Sequence, residues 1–238
     1  MSERKIALVS GANQSIGFEV VRSLARLGMI VYLGSRDEAA GEQAADSLKA
    51  EGEVHPVRLD ITDRTTMEPV VQRIGESHGK LHVLVNNAGV AGGGMDALTA
   101  DLEVVKRIFE TNVWGAMTLT QLAAPLLRAA GSARVVNVSS NAGSFAYLQS
   151  DRPPAMKPLA YCLSKLALNG ATVLFSEALK KDGVKVNAAN PGLVKTALSH
   201  FMGTRGPEEG AKVVIQLATL PDDGPTGGFF DEKGPIPW

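Results

Sequence analysis

The stretch Ile6-Ala7-Leu8-Val9-Ser10-Gly11-Ala12-Asn13-Gln14-Ser15-Ile16-Gly17 decides the fold of this chain. It opens with a short apolar run, residues 6–10, that ends at Gly11. Over residues 16–27 apolar side chains recur at helical spacing until Gly28. An apolar run, a glycine-containing turn and an amphipathic pattern in this order predict a strand, a loop and a helix.

The same unit recurs along the chain. Further strands are predicted for residues 30–33, 54–59, 81–85, 134–138, 184–188 and 227–230. Further helices are predicted for residues 38–50, 64–77, 99–130 (kinked or split at Pro125), 159–181 and 207–220. Seven strands that alternate with helices predict an α/β fold with a doubly wound (Rossmann) parallel sheet flanked by helices, because parallel neighbours need crossover helices.

The chain shows no internal division. No Pro/Gly/Ser-rich linker, charge run or repeat of fixed period interrupts it, so residues 1–238 are expected to form a single domain. In doubly wound folds, ligands bind at the carboxyl ends of the strands. The loops that follow the strands are therefore where the functional site is expected.

The composition argues against charged polymers as partners. With a formal net charge of −1 and a sequence pI of about 6.4, the chain has no basic surplus, and neither nucleic-acid nor membrane partners are expected. The N-terminal residues show no apolar stretch of signal length, and no window holds about 18 uninterrupted apolar residues. A cytoplasmic location is the expectation.

A tyrosine and a lysine stand four residues apart in the stretch Tyr161-Cys162-Leu163-Ser164-Lys165. Side chains at this spacing share one face of a helix, so the Lys165 ammonium can lie close to the Tyr161 phenol. A neighbouring cation favours the phenolate and is expected to lower the tyrosine pKa toward neutrality, where the group can exchange protons. The alternative is a solvated lysine beside a half-buried tyrosine. Cys162, the single cysteine, is expected to be a small packed hydrophobe.

The loop after the first strand is suited to a phosphate group. Glycines at a strand-to-helix turn let backbone amides approach a pyrophosphate at a helix N-terminus, although a tight turn alone is the alternative. The loop resembles the Thr/Ser-Gly-x-x-x-Gly-x-Gly motif of the short-chain dehydrogenase/reductase family. It departs from the motif at Ser15; we expect the serine to be tolerated, with its hydroxyl donating a compensating hydrogen bond. The loop residues expected to hold the cofactor are Gly11, Asn13, Gln14, Ser15, Ile16 and Gly17.

The end of the second strand, Leu33-Gly34-Ser35-Arg36-Asp37, favours NADP(H) over NAD. An acidic residue here contacts the ribose hydroxyls of NAD, whereas an arginine suits the extra 2′-phosphate. Ser35 holds the slot where NAD-preferring relatives carry the acid, and Arg36 follows it. A solvated surface charge is the alternative for Arg36, and Asp37 is expected to cap the next helix.

Other strand ends match further cofactor motifs of the family. Asp60-Ile61 resembles the adenine contact and Asn86-Asn87-Ala88-Gly89 the central-strand motif, with a helix cap and a turn as the alternatives. The stretch Asn190-Pro191-Gly192-Leu193-Val194-Lys195-Thr196 looks like the Pro-Gly motif that holds the nicotinamide carboxamide. The cofactor residues implied by these resemblances are Asp60, Ile61, Asn87, Ala88, Gly89, Pro191, Gly192, Val194 and Thr196, together with Tyr161 and Lys165.

Two more residues match catalytic positions of the family. Asn112 lies within a predicted helix, and in the family this asparagine helps hold a water that links the catalytic lysine to solvent. Ser140 follows the fifth predicted strand in Asn137-Val138-Ser139-Ser140-Asn141-Ala142-Gly143 and fits the pattern of serine, two residues and glycine. Ser139 is the alternative for the catalytic serine.

The motifs occur in family order over nearly the whole chain, which is similar to carbonyl-reductase members. The resemblance implies an NADP(H)-dependent enzyme that reduces a ketone or aldehyde to an alcohol, reversibly, by hydride transfer. Tyr161 would donate the proton to a carbonyl oxygen that Ser140 orients. Lys165 would lower the tyrosine pKa and grip the ribose, with Asn112 supporting the proton relay. A non-catalytic NADP-binding protein, and an isomerase or dehydratase that uses the cofactor transiently, are the alternatives.

No metal is expected, because the four histidines lack ligand spacing: His55, His78, His82 and His200. The stretch of residues 144–158 is longer than in many relatives, and its three prolines predict irregular structure. Monomeric carbonyl reductases carry a larger insertion here, so a monomer or homodimer is expected rather than a tetramer. Phe145, Tyr147 and Met156 are expected to line either the substrate pocket or a lid that packs on the protein itself.

Overall fold

A computed structural model describes residues 4–94, 96–153 and 156–238. Within these ranges the strands are β1 Ile6–Val9, β2 Ile30–Ser35, β3 Val54–Arg58, β4 Val83–Asn86, β5 Arg134–Val138, β6 Lys185–Ala189, β7 Phe229–Asp231 and β8 Gly234–Pro235. The α-helices there are α1 Ser15–Arg26, α2 Glu38–Ser47, α3 Arg64–His78, α4 Leu102–Phe109, α5 Ala116–Ala129, α6 Phe145–Leu148, α7 Leu159–Leu179 and α8 Pro207–Ala218. The predicted alternation of strands and helices is present.

The strands form one eight-stranded sheet in the order β3-β2-β1-β4-β5-β6-β7-β8. Strands β1 to β7 pair in parallel, whereas β8 pairs antiparallel to β7. The doubly wound α/β fold is therefore confirmed, but the predicted number of seven strands was one too low. Strand β8 has only two residues, too few for an alternating pattern to show in the sequence.

The order of the sheet reverses at β1, which lies between β2 and β4. Doubly wound sheets bind ligands in the crevice at such a point, outside the carboxyl ends of the strands. Val9 pairs with Leu33 of β2 and with Val85 of β4. The loops that follow these three strands therefore begin side by side.

Helices on both faces bury β1. Ala7 and Val9 pack in one apolar cluster with Leu24 of α1, and Leu8 packs in a second cluster with Leu119 of α5. All of these side chains are fully buried. Because burying a Leu or Val side chain stabilises a fold by about 1.5–3 kcal/mol, the strand that leads into the glycine loop is anchored on both faces.

Aspartates begin three of the helices. The side chain of Asp37 accepts a hydrogen bond from Ala40 N at 3.0 Å at the start of α2. Asp63 caps α3 and Asp101 caps α4 in the same way, with N···O distances of 2.9 Å. Each cap stabilises its helix by about 1 kcal/mol. The predicted capping role of Asp37 is confirmed.

The long helix predicted for residues 99–130 is divided, though not at Pro125. A π-helical segment, Glu110–Gly115, joins α4 to α5. Helix α5 continues past Pro125 to Ala129, so the prediction of a split at the proline was wrong. The irregular segment instead contains Asn112, and π-helical turns of this kind are frequent at functional sites.

The stretch of residues 144–158 contains the short helix α6; its residues 154–155 lie outside the described ranges. The Tyr147 hydroxyl donates to the carbonyl oxygen of Met156 at 2.9 Å, and Lys157 Nζ donates to that of Leu148 at 3.0 Å. The stretch therefore folds back on itself, and the expectation of irregular structure was right except for α6.

One helical stretch among the described residues, Leu159–Asp182, is long and apolar enough to cross a membrane by length and composition. Half of its apolar window, 50%, is buried inside the protein. Lys165 and Thr172 of this stretch are among the buried polar residues. A core helix of a globular protein meets the same criteria.

Candidate active site

The glycine loop joins β1 to α1 in a conformation that two of its glycines require. Gly11 has φ +60°, and a Cβ on it would lie 2.8 Å from the Cα of Ala88. A Cβ on Gly17 would lie 2.6 Å from the carbonyl oxygen of Gly11. Neither position has room for a larger residue.

Ser15 stands where the family motif has glycine, and its backbone shows why glycine is preferred there. Its φ is +55°, in the left-handed region that costs a residue with a Cβ about 1–2 kcal/mol. The serine therefore keeps the loop conformation at some strain. Its hydroxyl makes no hydrogen bond to the described residues.

The N-terminus of α1 opens onto this loop without a capping side chain. The cap residue Gln14 makes no side-chain hydrogen bond, and the first turn holds no acidic residue. Unpaired N–H groups and the positive pole of the helix are therefore open to an anion. A pyrophosphate fits this position, with Asn13 and Ile16 as the neighbouring loop residues.

Ser10 and Asn87 fix the loop to β4. The Asn87 Nδ2 donates to the carbonyl oxygens of Ser10 and Gly11 at 2.9 and 2.8 Å. The Ser10 Oγ accepts from the backbone N–H groups of Asn87 and Ala88, both at 3.1 Å. The Asn87 amide thus holds the loop, whereas the sequence assigned Asn87 to the cofactor. Ser10 was missed; the signal was a hydroxyl directly before the glycine turn.

At the end of β2 the structure adds a second arginine to the predicted Arg36. Ser35 is buried, and its hydroxyl donates to the carbonyl oxygen of Asp37 at 2.6 Å. Arg58 is paired with Ser35 across β2 and β3. Arg36 and Arg58 are exposed and make no ion pair with the described residues. Two guanidinium groups therefore stand at adjacent strand ends; Arg58 was missed because its place depends on strand register.

Asp60 follows β3 at the same edge. Its Oδ1 accepts from the Thr62 backbone N–H at 2.9 Å and from the Thr62 hydroxyl at 2.7 Å. The helix cap is Asp63, so Asp60 does not take that alternative role. Ile61 is buried against the π-helical segment, since a Cβ on Gly115 would lie 2.4 Å from the Ile61 carbonyl oxygen.

Helix α7 brings the predicted Tyr161 and Lys165 together. The Lys165 Nζ lies 5.7 Å from the centre of the Tyr161 ring and donates to the carbonyl oxygen of Val138 at 2.8 Å. Lys165 is only 4% exposed. The alternative of a solvated lysine is therefore excluded in this structure.

Burial favours the neutral forms of both groups. It raises the pKa of Tyr161 to about 12, with a hydrogen bond to Ser140 acting in the opposite direction. It lowers the pKa of Lys165 to about 8. The expected lowering of the tyrosine pKa by the lysine is not found, because the ammonium is itself desolvated and bonds to Val138 rather than to the phenol oxygen.

Ser140 lies at the start of the turn Asn141–Gly143, after β5. Its Oγ accepts from Ala142 N at 3.2 Å and donates to Asn141 Oδ1 at 3.3 Å, and its proximity to Tyr161 acts to lower the tyrosine pKa. The Ser139 hydroxyl is buried and donates to Asn169 Oδ1 at 2.6 Å. Of the two candidate serines, Ser140 is therefore the one placed beside the tyrosine.

Asn112 ties the loop after β4 to α7. Its Nδ2 donates to the carbonyl oxygen of Val90 at 2.8 Å and to Ser164 Oγ at 2.9 Å, and its Oδ1 accepts from Val90 N at 2.8 Å. A Cβ on Gly89 would lie 3.4 Å from Asn112 Oδ1 and 3.5 Å from Lys165 Nζ. Asn112 thus adjoins the lysine, with its amide engaged in positioning.

The Pro-Gly segment after β6 meets the Ser140 turn. Asn190 Oδ1 accepts from the backbone N–H groups of Asn141 at 3.1 Å and Gly192 at 3.3 Å. Val194, which is buried, forms a bridge with Arg205. Of the predicted residues of this segment, Pro191 and Gly192 therefore follow directly on the contact with the Ser140 turn, whereas Val194 and Thr196 lie further along the segment.

A cavity of about 230 Å³ opens beside this turn, lined by Asn141, Tyr147 and Pro237 among others. Phe145 and Met156 are 57% and 45% exposed and are not among its lining residues. Of the three residues expected to line a pocket or a lid, Tyr147 therefore lines this cavity.

A larger cavity of about 450 Å³ lies at the opposite, amino edge of the sheet and contains none of the predicted site residues. Arg4, Glu53 and His78 are among its lining residues. Within the described ranges no group of three or more His, Cys, Asp or Glu side chains could hold a metal ion. The predicted residues gather instead at the carboxyl edge.

Comparison with known proteins gives concordant matches. The model for short chain dehydrogenases matches residues 5–205. Salutaridine reductase of Papaver bracteatum is 32% identical over 300 aligned residues, covering 97% of this chain and 95% of the relative. Carbonyl reductase [NADPH] 1 of Rattus norvegicus is also 32% identical, covering 100% of this chain and 99% of the relative.

Solved structures agree with these matches. The structure of salutaridine reductase from Papaver somniferum has a TM-score of 0.83 at 30% identity, covering 96% of this chain and 100% of that one. A short-chain type dehydrogenase/reductase from Mycobacterium marinum has a TM-score of 0.84 at 26% identity, covering 95% and 93%. The alignment with the Papaver bracteatum protein is longer than the 238 residues of this chain, so that relative contains segments that are absent here.

Proposed function

Because this chain belongs to the short-chain dehydrogenase/reductase family, we propose that it reduces a ketone or aldehyde to an alcohol with NADPH and runs the reverse oxidation with NADP⁺. The observation that carries the proposal is the meeting of Ser140, Tyr161 and Lys165 at the carboxyl edge of the sheet. The relatives named as reductases, one of them as an NADPH enzyme, support the same activity.

The residues at this edge fit NADP(H). The open N-terminus of α1 would hold the pyrophosphate. Arg36 and Arg58, which make no ion pair with the described residues, would hold the 2′-phosphate, and Asp60 and Ile61 the adenine. When bound, the cofactor supplies the hydride for the carbonyl carbon. The Pro-Gly segment would hold the nicotinamide end.

Tyr161 is the proposed general acid. Its hydroxyl would donate a proton to the carbonyl oxygen as that oxygen gains negative charge, and the Ser140 hydroxyl would donate a hydrogen bond to the same oxygen. In the structure Ser140 lies close enough to the Tyr161 phenol to oppose the rise in the tyrosine pKa. One substrate oxygen can therefore reach both donors.

Lys165 would act on the state that follows proton transfer. Once Tyr161 has given up its proton, the ammonium stabilises the phenolate that remains, across a distance of 5.7 Å to the ring centre. Lys165 would also grip the ribose hydroxyls. Asn112 would support this role by holding α7 against the loop after β4.

A panel of aldehydes and ketones, incubated with the protein and NADPH, tests the proposal. We expect loss of NADPH absorbance and formation of one alcohol per NADPH consumed, with the product configuration read by chiral chromatography. NADPH binding without consumption by any carbonyl would instead indicate a non-catalytic NADP-binding protein. Substrate conversion without net NADPH consumption would indicate an isomerase or dehydratase.

We further propose that residues 1–238 form one cofactor-binding and catalytic domain, supported by the single sheet that joins strands β1 to β8. A monomer or homodimer stays a prediction, to be tested by sedimentation at micromolar protein concentration; a stable tetramer would contradict it. The cytoplasmic location and the exclusion of nucleic-acid and membrane partners also stay predictions from the sequence.

A further inference from the structure

Asn169 of α7 bonds to both ends of the segment that carries Ser140. Its Oδ1 accepts a hydrogen bond from the Ser139 hydroxyl at 2.6 Å, and its Nδ2 donates to the carbonyl oxygen of Gly143 at 2.9 Å. Ser139 directly precedes Ser140, and Gly143 ends the turn that follows it. One amide side chain therefore holds the whole turn against α7.

The same helix carries the other two catalytic residues. Asn169 lies four residues after Lys165 and eight after Tyr161, which places the three on one side of α7. The turn touches this side directly, because a Cβ on Gly143 would lie 2.5 Å from the carbonyl carbon of Lys165. The separation between Ser140 and Tyr161 thus depends on the Asn169 bonds and on the small size of Gly143.

Burial makes these bonds hard to replace. Asn169 is 2% exposed and Ser139 is 4% exposed, so bulk water cannot take over either hydrogen bond. A buried donor or acceptor that loses its partner keeps the full penalty of its desolvation, and the surrounding backbone moves to relieve it. Removing the amide is therefore expected to shift the turn.

We propose that Asn169 is a positioning residue for the reduction. It sets the place of Ser140 relative to Tyr161 and Lys165 through Ser139 and Gly143, and it contacts neither substrate nor cofactor. The inference rests on the proposed function. It predicts that disturbing Asn169 lowers the rate of the chemical step far more than it weakens cofactor binding, since the amide makes no contact with the glycine loop and the turn meets the Pro-Gly segment through the bond from Asn141 N to Asn190 Oδ1.

Asn169→Ala tests the inference through a split between kcat and KM. Because misplacing a reacting group by about 1 Å can cost about 100-fold in rate, we expect kcat to fall about 10–100-fold. The KM for NADPH should stay within about twofold of the wild-type value, as for a loss confined to the transition state. Ser139→Ala removes one of the two bonds and should lower kcat less.

Thr172→Val is the matched control. It removes two buried hydrogen bonds of a residue on the same helix, the one that Thr172 Oγ1 accepts from Asn137 Nδ2 at 2.8 Å and the one that it donates to the carbonyl oxygen of Leu168 at 2.9 Å, without touching the Ser140 turn. Urea unfolding should show that it and Asn169→Ala lose similar stability, while kcat of Thr172→Val stays within about twofold of wild type. All assays are run well below the unfolding transition of each variant.

Crystal structures of wild type and Asn169→Ala give a readout that needs no turnover. The expected result is a displacement of the turn carrying Ser140 relative to α7. An unmoved turn, or a fall in kcat no larger than that of Thr172→Val, would overturn the inference. If wild type consumes no NADPH with any carbonyl, the proposed function fails, and the crystal structures still decide whether Asn169 positions the turn.

Discussion

The two ends of the candidate site are built from different parts of the chain. At the cofactor end, the loop before α1 offers backbone N–H groups at a helix N-terminus without a capping side chain. At the catalytic end, Asn112 and Asn169 use buried side-chain hydrogen bonds to hold neighbouring segments against α7. The first end depends on backbone conformation, and the second depends on side-chain bonding.

This difference explains where the chain departs from its family motif. The departure, Ser15, lies at the cofactor end, where it keeps the left-handed backbone with φ +55°. Position 15 accepts a side chain as long as the main chain holds its conformation, whereas Gly11 and Gly17 have no room for one. A buried hydrogen-bond network tolerates fewer substitutions, because each missing partner leaves an unsatisfied buried polar group. We therefore expect large effects at the catalytic end and small ones at the cofactor end.

The largest effect is expected for Tyr161→Phe. The variant removes the proton donor and keeps the ring, so kcat should fall about 10²–10⁴-fold, the range for loss of a general acid. NADPH binding, followed by quenching of protein fluorescence, should be nearly unchanged. Near-normal turnover in this variant would remove the phenol from the mechanism and would leave the catalytic end without its proposed acid.

Lys165→Met tests the burial of the ammonium through the pH dependence of stability. Burial lowers the pKa of Lys165 to about 8, from an ordinary value near 10.5. Between these two values the unfolded chain binds a proton that the folded chain has lost, so the free energy of unfolding should rise with pH. Below pH 8 the folded and the unfolded chain both carry the Lys165 proton, so the free energy of unfolding is lowered by the full cost of burying the ammonium.

Urea unfolding of wild type and Lys165→Met at pH 7 and pH 10 measures this contribution. The difference between the two proteins should change by up to about 3 kcal/mol in favour of wild type at the higher pH, since each pKa unit is worth about 1.36 kcal/mol. Parallel pH profiles for the two proteins would show that the lysine is solvated. The catalytic pair would then need another arrangement.

The comparison also shows what the sequence could predict. The glycine loop was predictable because part of its requirement is local: Gly11 needs a left-handed backbone, and Gly17 meets the Gly11 carbonyl oxygen of the same turn. Tyr161 and Lys165 were predictable because helical spacing alone puts them on one face. In both cases the local sequence pattern determines how the residues lie relative to one another.

The rest needed tertiary contacts that leave no periodic signal. Asn169 and Ser139 are 30 residues apart, and an asparagine within a helical pattern does not reveal its partner. Arg58 reaches the cofactor edge only through its register with Ser35. The pKa of Tyr161 could not be predicted from charge spacing either, because desolvation of the phenol, which depends on tertiary packing, is the largest cause of its shift.

At the cofactor end, the largest effect is expected for the two arginines. Arg58→Gln should weaken NADPH binding about tenfold, as for loss of one charge-assisted hydrogen bond, and should leave NADH binding unchanged. Arg36→Gln should likewise weaken NADPH binding and leave NADH binding unchanged. Arg64→Gln is the control, because Arg64 is exposed on α3 and pairs with Glu68 at 2.6 Å. Equal losses for NADPH and NADH would show that Arg58 does not contact the 2′-phosphate.

The smallest effect, and the sharpest test of the cofactor end, is expected for Ser15→Gly. Glycine relieves the strain of the left-handed backbone, about 1–2 kcal/mol. Its greater conformational freedom in the unfolded chain offsets about 0.4–1 kcal/mol of that gain. The free energy of unfolding should therefore rise by roughly 0.5–1 kcal/mol, measured by urea titration. Ser15→Ala keeps the Cβ and the strain, so its stability should match that of wild type.

Cofactor affinity separates the effect of the Ser15 hydroxyl from the effect of the backbone strain at this position. If its hydroxyl donates a hydrogen bond to a phosphate, Ser15→Ala should bind NADPH about tenfold more weakly, since a bond to a charged acceptor contributes about 1.5 kcal/mol or more. Ser15→Gly loses the same bond but lets the backbone approach the phosphate, so its affinity should lie closer to that of wild type. Loss of NADPH binding in Ser15→Gly would mean that the loop depends on a side chain after all. The cofactor end would then be as sensitive to side-chain substitution as the catalytic end is expected to be.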